Sequence, residues 1–216
     1  TLQFFSSFST YPGGIADYLA EFISQFFKFN MAGSFIVVTV ASLLGFIVLD
    51  ILRRVAGKIN YVHLIFTLIL IFGIIVLCDY RYPYYATIRL LFSAVFIWFF
   101  CLINAKYPKF SAVVWIVFAL LLFYLAGGPA LFVFALSTAL LFYATNKERI
   151  LLLFIPASLL IAGLIPYLGQ KFLFQMSLKN MYLITMIRPP KQLAYTPGWQ
   201  LYAYYLVIPA ILLVIY

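Results

Sequence analysis

The chain is poor in acid: its 216 residues include only five Asp and Glu, with one histidine and two cysteines. Each shortage excludes something. His63, at the start of an apolar run with no thiol or carboxylate beside it, offers no ligand set, so no metal is expected. Cys78 and Cys101 lie within or at the ends of apolar runs at no metal-ligand spacing and read as ordinary packing. No apolar run has an acid or base near its midpoint, where ion-coupled transporters usually need one. Only 9% of residues are charged and 67% are hydrophobic. A soluble domain is roughly one quarter charged, so this chain lacks the polar residues to cover a surface facing water. The excess faces lipid.

Seven apolar runs are present, approximately 32–52, 61–78, 86–105, 109–125, 129–145, 150–168 and 200–216. Their lengths approach the roughly 20 residues that carry a helix across a bilayer core. Stretches such as Ile150-Leu151-Leu152-Leu153-Phe154 do not alternate as barrel strands would. The expected fold class is all-α, a polytopic transmembrane helix bundle of about six to seven spans with an interfacial amphipathic helix near the N-terminus. The chain reads as a single transmembrane domain over 1–216, a segment of a longer polypeptide with a preceding span.

The net charge of +9 would suggest nucleic acid in a soluble protein. Here the Lys and Arg residues sit between the runs, where they set topology and touch lipid phosphates, so membrane lipids are expected as partners and nucleic acid is not. Arg53, Arg54, Lys58, Lys106, Lys109, Lys147 and Arg149 fall on one side if every run crosses once, and that side is taken as cytoplasmic. Residues 1–31 and 169–199 are then extracytoplasmic. The second segment holds Lys171, Lys179, Arg188 and Lys191 and no acid, against the charge rule.

Within the chain, Ala126-Gly127-Gly128-Pro129 breaks a helix, leaving 109–145 as either two short spans with a tight turn or a re-entrant hairpin. The pairs Ala41/Gly45, Ala135/Ala139 and Ser158/Ala162 offer small-residue packing seams. Pro156 and Pro166 are expected to kink or end the sixth helix. Asp50 and Glu148 stand beside basic residues at the cytoplasmic ends, where interfacial ion pairing is their expected role.

Two outer features carry candidate chemistry. After Pro12-Gly13-Gly14, residues Ile15, Leu19, Phe22, Ile23 and Phe26 recur on one helical face, with Asp17, Glu21, Ser24 and Gln25 elsewhere. This helix is too polar to span and suits the outer interface. Asp17 and Glu21, four apart, are candidates for a general base, metal ligands or sugar-hydroxyl acceptors; they also read as the solvated face of an interfacial helix. The second feature is aromatic and basic. Tyr82 and its neighbouring tyrosines surround Arg81, and Trp199 with further tyrosines follows Arg188 and Lys191. Aromatic belts account for such residues; a sharper reading is a mouth in which Arg81, Arg188, Lys191, Tyr82 and Trp199 hold an anionic headgroup or lipid-linked phosphate.

The run from Pro12 to Phe22, followed by Gln25-Phe26-Phe27 and a long hydrophobic helix, resembles an uncharacterised family of polytopic inner-membrane proteins typical of Bacteroidota-type genomes. Leu125-Ala126-Gly127-Gly128-Pro129-Ala130-Leu131 looks like the same family. The resemblance implies a span before Thr1, further chain after Tyr216 and a multi-pass place in the bacterial inner membrane; it brings no activity and no catalytic residue. A looser similarity, of architecture alone, is to membrane-embedded glycosyltransferases with lipid-linked donors. These often follow their first span with an outer loop holding an acid and an interfacial helix, the place of Asp17 and Glu21 here.

The leading expectation is therefore action on an envelope lipid or lipid-linked glycan at the outer face, glycosyltransferase-like in its most concrete form. The alternative is a non-catalytic membrane subunit of an envelope or secretion complex, with other membrane subunits as partners. A transporter or flippase stands third. The cofactor, if any, is unknown.

Overall fold

The computed structural model describes residues 8–56, 84–146, 154–172, 177 and 205–212, and the regular structure among them is all helical. Helix α1 (Gly14–Ser24) opens at Gly13, whose φ of 83° lies in the left-handed region that glycine tolerates. A 3₁₀ turn (Gln25–Lys28) leads into α2 (Asn30–Ala56). Next come α3 (Tyr85–Lys106), a 3₁₀ turn (Pro108–Phe110), α4 (Ser111–Asn146) and α5 (Phe154–Phe172). Residues 205–212 form a further helical piece, α6. The apolar run 61–78, with Cys78, His63 and Asp79, lies outside the described residues, as does Glu148.

Helix α4 is not a rod. Gly127 breaks it at φ 80°, ψ −172°, a conformation open essentially to glycine alone. The Trp115 indole Nε1–H donates to Thr138 Oγ1 at 2.8 Å, and the Trp115 ring stacks on Phe134 at 5.8 Å. On a straight helix those residues would be roughly 28–35 Å apart. The segments 111–126 and 128–146 therefore fold back on each other as a helical hairpin, its tip at Gly127. Pro129 falls in the first turn of the returning segment, where its missing N–H leaves no bond unmade. The Gly-Gly-Pro signal thus marks a hairpin turn, the element shared by both sequence readings of this pair.

The bundle has two distinct ends. The Phe27 ring meets Tyr84 at 5.1 Å, joining the beginnings of α2 and α3. At the other end, Trp98 Nε1–H donates to Asp50 Oδ2 at 2.6 Å, joining their later turns. Helices α2 and α3 consequently run parallel, α2 ending at the opposite end of the bundle from where α3 begins. Arg53, Arg54, Lys106 and Lys109 gather with Asp50 at the second end, and Arg54 Nε pairs with Asp50 Oδ2 at 2.7 Å, the ion pairing expected there.

Small residues line the seams. Ala41, Ala135 and Ala139 are buried, and so is Gly45, as close backbone approach in a lipid-facing bundle requires. Large apolar side chains such as Leu44, Phe123 and Phe134 fill the core, and others face outward. Met31, Phe35, Val38, Leu43 and Phe46 form an exposed stripe on α2; Val113, Ile116, Val117, Leu120 and Leu121 do so on α4; and Leu160, Leu164, Leu168 and Phe172 do so on α5. Each repeats at helical spacing on the face opposite the core. By length and composition three helical segments of the described residues, Met31–Val55, Tyr85–Lys106 and Pro108–Leu141, are apolar enough to cross a membrane, the third being the one folded into the hairpin. With the outward stripes, they suggest a membrane protein. Of the kink or end expected at Pro166, an end is ruled out: α5 continues through it to Phe172, past the boundary expected from the run 150–168.

Candidate functional site

The Pro12-Gly13-Gly14 turn sits on the tip of the α4 hairpin. The Gly13 N–H donates to the Tyr124 carbonyl at 3.0 Å. That carbonyl belongs to the last turn before the break, whose acceptors have no partner within their own helix. A Cβ on Gly13 would lie 3.1 Å from both the Ala126 carbonyl carbon and Gly127 Cα, and one on Gly127 would lie 3.5 Å from Gly13 Cα and the Pro12 oxygen. The two glycine motifs thus meet backbone to backbone. Gly14 is equally fixed, since a side chain there would collide with the Phe8 carbonyl.

This contact lays α1 across α3 and α4. Its inward face is made of Gly14, Ala16 and Ala20, while Phe22 and Phe26 stay exposed with their rings 5.6 Å apart. The large apolar residues that define the helical face in the sequence are therefore divided: Leu19 and Ile23 pack partly buried against the core, and Phe22 and Phe26 do not. Small residues let α1 approach closely, and that approach turns Asp17 inward.

Asp17 meets Arg89 there. Arg89 Nη2 donates to Asp17 Oδ1 at 2.7 Å, with the arginine side chain 7% exposed and the aspartate 19%. The Tyr11 hydroxyl donates to the other carboxylate oxygen at 3.2 Å. The Arg89 guanidinium carbon lies 4.8 Å over the Tyr85 ring, a cation–π contact one helical turn away. Tyr205 of α6, also buried, brings its phenol into the electrostatic field of Arg89. Four side chains from three separate segments so converge on one charged group. Among the described residues, Arg89 is the only buried charged side chain, and its Nε has no hydrogen-bond partner.

Burial pushes the Asp17 carboxyl above its ordinary value, while Arg89 and the Tyr11 hydroxyl pull against that shift. The Tyr11 phenol is driven up as well, chiefly by burial and then by the neighbouring carboxylate. Tyr11 therefore stays a donor.

Of the residues singled out in the sequence, Asp17 and Glu21 are described, and they part company. Asp17 points into the bundle, and Glu21, one turn on, is exposed. Arg81, Tyr82, Arg188, Lys191 and Trp199 lie outside the described residues. Arg89 was absent from the candidate list, although the signal was present: it is the one charge inside the apolar run 86–105. A charge in such a run is costly and calls for a partner. No group of three or more His, Cys, Asp or Glu able to hold a metal occurs among the described residues.

Residues 1–216 match a family of unknown function, DUF6057, and the chain belongs to that family. No curated protein and no solved structure matches it.

Proposed function

We propose that this DUF6057 member is a multi-pass protein of the bacterial inner membrane, with about six to seven spans, and that it acts on an envelope lipid or lipid-linked glycan at its outer face. The α1 end is the outer end: the opposite end gathers Arg53, Arg54, Lys106 and Lys109, and basic residues stay in the cytoplasm. The parallel course of α2 and α3 supports a further crossing by residues 57–83.

The observation that carries the functional reading is the Asp17–Arg89 pair. An ionisable pair kept at the outer end of an otherwise apolar bundle is expensive and marks a functional site by default. In the glycosyltransferase-like form of this reading, Arg89 holds phosphate at the site, joined by Arg81, Arg188 and Lys191, with Tyr82 and Trp199 stacking on the substrate. Glu21, exposed one turn from Asp17, is then the accessible carboxylate for a general base, and Asp17 positions α1.

A non-catalytic subunit is the second reading, favoured by the way Arg89 and Tyr11 tie up both oxygens of Asp17. Extraction of the full chain from native membranes in polymer-bounded lipid discs, followed by mass spectrometry, separates the two. A lipid-linked phosphate or glycan enriched over the bulk membrane, and lost in R89Q, supports the first. A lipid complement equal to the bulk with a stoichiometric protein partner supports the second.

A further inference from the structure

We propose that Arg89 anchors a binding site for a phosphate ester, and that Asp17 occupies this site as an internal counter-ion which the phosphate displaces. The proposal rests on the outer-face reading above and names the ligand chemistry of that site.

Hydrogen-bond arithmetic comes first. A guanidinium carries five N–H donors in a planar fork. Asp17 engages Nη2 through a single oxygen and gives its other oxygen to Tyr11, while Nε–H remains buried and unpartnered among the described residues. The pairing is therefore one-pronged, where an arginine of this kind is built for two. Tyr85 covers a face of the guanidinium and the Tyr205 phenol stands beside it, so Nε and the Nη2 that Asp17 would vacate are the donors for an incoming anion. A phosphate ester, with more acceptor oxygens than a carboxylate, can take Nε and an Nη together.

The placement of Asp17 fits a replaceable group. It rides on α1, a short helix that rests on the bundle through Gly14, Ala16 and Ala20 with Leu19 and Ile23 partly buried, and that keeps Phe22 and Phe26 outside. Gly13, already in the left-handed region, offers a pivot. Burial also makes the carboxylate a reluctant occupant, so releasing it to water works in favour of exchange. Held at the outer membrane interface, Arg89 would meet phosphate esters as polyprenyl phosphate or as bilayer phospholipid, and the same phosphoryl oxygens in free phosphate. The three share the chemistry that the guanidinium recognises.

Competition predicts a sign that a purely structural ion pair does not. The full chain is placed in lipid discs of zwitterionic phosphatidylcholine and titrated in separate arms with a polyprenyl phosphate, phosphatidylglycerol and inorganic phosphate. Asp17→Asn removes the internal competitor, and the productive arm should tighten by roughly tenfold. Tyr11→Phe loosens Asp17 without touching either charge and should tighten that arm by a few-fold; it keeps the test open should the Asn variant fail to fold. Arg89→Gln should abolish binding in every arm. The productive arm identifies the source of the phosphate. Folded D17N and Y11F proteins that bind no tighter than wild type would overturn the proposal, as would R89Q binding unchanged. Failure of all three phosphates alongside a co-purifying neutral lipid or glycan would remove this site and leave the outer-face reading standing.

Discussion

Gly13 and Gly127, more than a hundred positions apart in sequence, lie in backbone contact, and both adopt positive φ. One begins an interfacial helix and the other breaks a hairpin; Gly13 has no room for a side chain beside Gly127, and Gly127 has a backbone conformation that a side chain would strain. Gly13→Ala adds a Cβ at 3.1 Å from main-chain atoms that cannot swing aside, on top of a left-handed strain of about 1–2 kcal/mol. Gly127→Ala finds ordinary contact distances but a forbidden backbone, at a cost of about 1–3 kcal/mol. Thermal unfolding in detergent should show both variants destabilised. The double variant should cost less than the sum, because the two sites share one contact.

Removing one member of the Asp17–Arg89 pair strands a buried charge. Arg89 is 7% exposed, so D17A should cost about 3–5 kcal/mol and R89A a similar amount. D17A/R89A should recover much of that loss, since no charge is then left unpaired. Unfolding free energies for the four proteins give the coupling directly. A coupling near zero would mean that the two side chains do not interact in the membrane.

Acid has a distinctive effect at this site. Because burial holds Asp17 above its ordinary 3.8 in the fold, the folded state binds the proton more tightly than the unfolded one. The contribution of Asp17 to stability is then fullest below pH 3.8, and it falls as pH rises through the folded value. The thermal midpoint of wild type minus that of D17N should therefore decline from acid towards neutral pH. A difference that climbs with pH would show a carboxylate stabilised below its normal range instead.

At the opposite end, Trp98→Phe deletes a 2.6 Å bond to Asp50. A hydrogen bond to a charged group contributes about 1.5–3 kcal/mol, partly offset here because Arg54 still holds the same oxygen. Unfolding by heat should show a loss at the low end of that range, with α2 and α3 still paired at Tyr84.

The helices were legible because lipid demands long apolar runs, and α2, α3 and α5 lie within a few residues of where those runs place them. The pairing of Arg54 with Asp50 was legible because it is local, one turn of one helix. Asp17 was harder to read. A helical wheel ranks faces by the size of their apolar residues, which is right where water drives burial. In a bundle surrounded by lipid small residues mark the closest contacts, so Gly14, Ala16 and Ala20, beside the partly buried Leu19 and Ile23, were the informative positions on α1. Arg89 could have been found from its place inside an apolar run. The meeting of Gly13 with Gly127 could not, since only tertiary structure brings two such distant turns together.

The central claim, that the Asp17–Arg89 site faces outward, is tested most directly by thiol accessibility. In a background with Cys78 and Cys101 replaced by serine, Glu21→Cys and Lys109→Cys are each treated with a membrane-impermeant maleimide on intact spheroplasts. Both positions are exposed, one at each end of the bundle. The account predicts labelling of Glu21→Cys at once and of Lys109→Cys only after permeabilisation. Labelling of Lys109→Cys alone on intact spheroplasts would place the site in the cytoplasm and contradict it.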